Sequence, residues 1–104
     1  MSASEASSLA TIPESLKRAL RDVLTKELTG TGASDIDIHP GADHDGDSII
    51  IVEVKHSLVD KPIDVKEVIA AERAARDLAW ETGERRFVLV DHLYDEKQKV
   101  AGVR

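Results

Sequence analysis

At 104 residues, with 20 acidic against 14 basic side chains, the chain has the length of one domain and carries a net charge of −6. It contains no cysteine, which excludes disulfides, thiolate chemistry and cysteine-ligated zinc. One Phe, one Tyr and one Trp leave an aliphatic core and few platforms for stacking bases, and the acidic field repels phosphate backbones, so nucleic acid is disfavoured as a partner.

Residues 1–10 are polar and small, with neither the basic n-region nor the apolar h-region of a signal peptide, and no apolar run approaches the roughly 18 residues of a membrane span. The expectation is a disordered leader, 1–10, ahead of a single domain, 11–104, in a cytoplasmic protein. Thr11 and Glu14 have capping-box spacing around Pro13, and Ile12, Leu16, Leu20, Val23, Leu24 and Leu28 then recur as one helical face that Gly30 and Gly32 end.

Strands are expected near 34–39 and 48–58. Their even positions Ile36, Ile38, Ile50, Val52 and Val54 make one apolar face, and Asp35, Asp37, His39, Glu53 and Lys55 lie on the other. Asp45-Gly46 has the composition of a hairpin turn, but a two-residue turn there would set Ile38 against Glu53 and mix the faces. A shift absorbed near Pro40-Gly41, or by a longer loop, sets Ile38 against Val54, Asp37 against Lys55 and His39 against Glu53, matching apolar with apolar and acid with base.

A second helix follows, with Asp64 as N-cap, Glu67 at N3, an apolar stripe through Val68, Ala75 and Ala79, and Gly83 just past its end. Strands near 86–94 and 99–103 complete the chain. The fold class is α+β: two helices on one face of a small, mostly antiparallel sheet, in the order α-β-β-α-β with a possible last strand.

The strand at 86–94 is apolar on both faces, and Ile49 and Ile51 add to the face the helices leave bare. Ile49, Ile51, Val88 and Val90 are therefore the expected interface residues, and a homodimer or a protein partner the expected assembly. No cofactor belongs to this reading. Among the other candidates, Lys17, Arg18, Arg21 and Arg85-Arg86 read as solvated basic residues. The four histidines, His39, His44, His56 and His92, read as exposed, Trp80 as a packer at the core edge, and the run Asp43 to Asp47 as a solvated turn without the EF-hand positions.

Glu53-Val-Lys55 in an apolar strand, preceded by an Asp-bearing strand and followed by a helix and another apolar strand, resembles the core of the PD-(D/E)xK nuclease superfamily. The resemblance covers residues 34–92. It implies that Asp35 or Asp37 and Glu53 hold Mg2+ or Mn2+ and that Lys55 handles the attacking water. The family's Pro-Asp dipeptide and third strand before the helix are absent. The primary expectation is therefore a small acidic, non-catalytic interaction module, with the metal-dependent nuclease as the alternative.

Overall fold

The helical stripes form helices where their spacing places them. In the computed structural model, which describes residues 11–101, α1 spans Glu14–Glu27 and α2 spans Val65–Glu81. Leu16, Leu20 and Leu24 are the buried side of α1; Val68, Ala71, Ala75 and Ala79 are that of α2. Small alanines at the contact let the two helices pack closely against each other.

The N-cap of α1 is Pro13 and not the expected Thr11. Pro13 has ψ 139°, an extended conformation that delays the helix to Glu14, and its own ring offers no capping hydrogen bond; Glu14 pairs with Lys17 at 3.3 Å. The caps of α2 are as expected. Asp64 accepts from Lys66 N–H at 2.9 Å. At the other end Gly83, with φ +95°, lets its own N–H reach Trp80 O and that of Glu84 reach Ala79 O, both at 3.0 Å.

The strands are β1 Ala33–Ala42, β2 Ser48–His56, β3 Ile63–Asp64, β4 Phe87–Leu93 and β5 Val100–Ala101. The α-β-β-α-β order and the α+β class are those expected. β1 and β2 form an antiparallel hairpin, β4 joins the far side of β2 in parallel after the α2 crossover, and the sheet order is β1-β2-β4. The C-terminal strand pairs with β3 in a separate two-stranded ribbon and not with this sheet. The expected leader lies outside the described residues. Among those described, no helix is long and apolar enough to cross a membrane.

Both helices cover the even face, where Ile38, Ile50, Val52, Val54, Val88 and Val90 join the helical leucines in one buried cluster. The cross-strand partners, however, differ from those expected. Ile38 faces Val52, Asp37 faces Glu53 and His39 faces Ile51, two residues away from the pairing that set Asp37 against Lys55 and His39 against Glu53.

The hairpin loop is the cause. Asp43 N–H bonds Asp47 O, Gly46 N–H bonds Asp43 O, and Gly46 takes φ +87°, which makes a three-residue connection of His44, Asp45 and Gly46. A two-residue slip keeps every side chain on its face and changes every partner.

Candidate functional site

The helices leave the odd face of the sheet bare. Its outward residues line up in rows across the three strands: Gly41, Ile49 and Phe87; His39, Ile51 and Leu89; Asp37, Glu53 and Asp91; Asp35, Lys55 and Leu93. One half of the face is therefore apolar and the other charged, and three carboxylates stand side by side in the third row.

Adjacent strands lie about 4.8 Å apart, so like charges directly opposite one another destabilise the sheet. Neither Glu53, Asp91 nor Lys55 has an ionic partner within the fold's described residues. His39 Nδ1 contacts Asp37 Oδ2 at 2.8 Å, and one ligand atom each of Asp37, His39 and Glu53 lies within 4.8 Å of the others. Two carboxylates and an imidazole in that arrangement suit Mn2+ or Zn2+ better than Mg2+, which prefers oxygen ligands and retained water. Asp35 stands outside this group, opposite Lys55.

The apolar half differs from the expected interface. Val88 and Val90 are buried on the helix side, because they pair in register with Ile50 and Val52 and must share their face. Ile49 is on the bare face yet buried, and Ile51 lies across Gly41 so closely that a Cβ there would come within 2.3 Å of its Cδ1. What remains exposed belongs to β4: Phe87 at 54% and Leu89 at 41% in the apolar half, and Leu93 at 48% beyond Asp91 in the row of Asp35 and Lys55. Phe87 carries the Arg76 guanidinium 4.6 Å from its ring centroid. Trp80, expected at the core edge, is 63% exposed and has Arg85 stacked on it at 3.9 Å.

Two histidines expected on the surface are inside. His56 is 6% exposed and the His92 side chain 8%, since both continue the even series of their strands under the helices. His56 Nδ1 lies 3.0 Å from Thr31 O, which can only accept, so Nδ1 carries the proton and Nε2 the lone pair. His92 Nδ1, 2.8 Å from that Nε2, is then the donor. Its own Nε2 is left as a buried lone pair without a hydrogen-bond partner, 3.5 Å from Glu72 Oε2.

Tyr94 stacks on both rings, with centroids at 4.5 and 5.8 Å. Burial, reinforced by the neighbouring His56, holds the His92 pKa down to about 4, and burial also lowers that of His56. At neutral pH the His92–Glu72 contact is thus not an ion pair. The block of rings ties β2, β4 and the Thr31 turn together.

The remaining polar motifs are spent locally. Asp43 Oδ1 accepts from Asp45 and Asp47 N–H at 2.9 Å, which uses that carboxylate to shape its own turn. Arg86 forks onto Glu84 at 2.8 and 2.9 Å, and this contact lowers the Glu84 pKa. Arg21 donates to Ile36 O at 3.3 Å. No protein-family model matches the chain, and no curated protein matches it either.

Proposed function

We propose that the protein is a small, non-catalytic interaction module that associates with protein, first of all with a second copy of itself, through the β4 side of its sheet. The observation that carries this reading is the concentration of exposed apolar side chains on one strand, Phe87, Leu89 and Leu93, in an otherwise acidic, soluble-sized domain. An aromatic ring beside an arginine has the composition of an association hot spot, and the leucines extend it into an exposed apolar patch. The lack of cysteine agrees with a cytoplasmic setting. Light scattering over a concentration series tests the reading: the wild type is a dimer or larger, and Phe87→Glu with Leu89→Glu is a folded monomer.

A second reading, divalent-metal nuclease chemistry, is favoured by one observation, the convergence of Asp37, His39 and Glu53 with Lys55 two residues along β2. Under it Glu53 and Asp37 hold the ion and Lys55 positions water. The net charge of −6 argues against a nucleic-acid substrate. We expect no cleavage of DNA or RNA with Mg2+ or Mn2+. Cleavage that both Glu53→Gln and Lys55→Ala abolish would promote this reading over the first.

A further inference from the structure

We propose that β4 pairs antiparallel with β4 of a second copy, about a twofold axis at Val90, joining two three-stranded sheets into one of six strands. This rests on the self-association reading and names its mode.

The two edges of the sheet are built differently. β1 carries Asp35, Asp37 and Pro40 and bears an irregularity between Ala33 and Asp35, features that obstruct further pairing. β4 has no proline and no lysine, and three of its outward side chains are apolar and exposed.

The free edge of β4 also has backbone to offer. Val88 O accepts from Arg76 Nε at 3.0 Å, a side chain of α2 outside the ladder, and this geometry points to a carbonyl aimed at the free edge. In a parallel ladder a residue directs its N–H and C=O to the same side, and residues alternate. Val90 and His92 therefore present their groups to that edge together with Val88. Among the described residues, neither makes a backbone bond outside the sheet.

Symmetry selects a second copy as the occupant. The strand Phe87–Leu93 has seven residues and Val90 at its centre, so pairing about Val90 uses its whole length. It brings Phe87 against the partner's Leu93, its two most exposed apolar residues, at both ends. It also sets Leu89 opposite the partner's Asp91, one diagonal step from Phe87 and the guanidinium that covers it. Asp91 has no ionic partner in its own chain's described residues, and the Arg76 guanidinium, 3.7 Å from Glu72 and 4.6 Å from the Phe87 ring centroid, is a cation about one diagonal step from where it would arrive. Arg76 gives up the Val88 carbonyl to the partner's His92 N–H and meets the partner's Asp91, twice per dimer.

The test uses the cysteine-free background. Phe87 and the partner's Leu93 form a non-hydrogen-bonded pair, whose Cα atoms, about 4.5 Å apart, are close enough for a disulfide. Folded Phe87→Cys and Leu93→Cys proteins, mixed in a glutathione redox buffer, are expected to give a reducible cross-linked heterodimer. Either variant alone should give none, because its two thiols lie about 20 Å apart along the paired strands. Leu89→Lys, which places an ammonium opposite the partner's Asp91, should preserve the dimer and tighten it by about 2- to 5-fold per pair.

A wild-type dimer whose cysteine mixture does not cross-link, or that Leu89→Lys dissociates, overturns edge pairing and leaves the association reading standing. A wild type that is monomeric at every concentration overturns both.

Discussion

On the helix side of the sheet, Ile50, Val52, Val54, Val88 and Val90 are sealed under α1 and α2, whereas the opposite face carries a row of three carboxylates beside exposed Phe87 and Leu89. The first arrangement is what a stable fold selects. The second costs stability, through like charges held side by side and apolar surface left in water. Such a face supports the proposed association, since three of its exposed apolar side chains lie on the edge strand β4.

Truncation on the sealed side gives the largest effect that can separate the faces. Leu20→Ala removes a fully buried side chain from the middle of the cluster and should cost about 3–5 kcal/mol in urea denaturation. A loss below about 1 kcal/mol would mean that the helices do not cover this face.

The histidine block gives the next. The folded state holds His92 near 4, while the unfolded chain titrates near its usual 6.5. Below 6.5 the unfolded state binds a proton that the folded state refuses. Stability should therefore be level above pH 7 and decline as the pH falls from 6.5 through about 4, by on the order of 2–3 kcal/mol. Burial of His56 adds to the decline in the same direction. His92→Phe should flatten this segment of the profile, and an unchanged slope would place the ring in water.

On the bare face the expected sign reverses. Glu53→Gln relieves the row of Asp37, Glu53 and Asp91, and should leave stability unchanged or raise it by up to about 1 kcal/mol. A clear loss would show that Glu53 is held by a favourable partner, such as a bound cation.

The faces and the helices were legible in the sequence because they rest on local periodicity. Asp64 and Gly83 cap α2, and the even positions of β1 and β2 are the covered ones. Partners across the hairpin were not legible, because Asp45-Gly46 serves a two-residue turn and a three-residue loop equally well. The two-residue turn mixes the faces and a register shifted one way gives acid–base pairs, whereas the three-residue loop shifts it the other way and gives the acidic row.

The expectation that Val88 and Val90 lie on the uncovered face went wrong for a similar reason. A strand apolar on both sides does not say which side is covered until it is paired with Ile50 and Val52. The inward histidines did leave a signal: His56 follows Ile50, Val52 and Val54 in step, and His92 follows Val88 and Val90. Residue type pointed them outward and parity pointed them inward.

The central claim is that the exposed apolar strip on β4 is a contact surface, and sedimentation equilibrium tests it most directly. The wild type should fit a dimer whose association weakens at least tenfold in Phe87→Glu with Leu89→Glu, while circular dichroism stays unchanged. A wild type that sediments as a monomer at millimolar concentration, or a dimer indifferent to both substitutions, would contradict it.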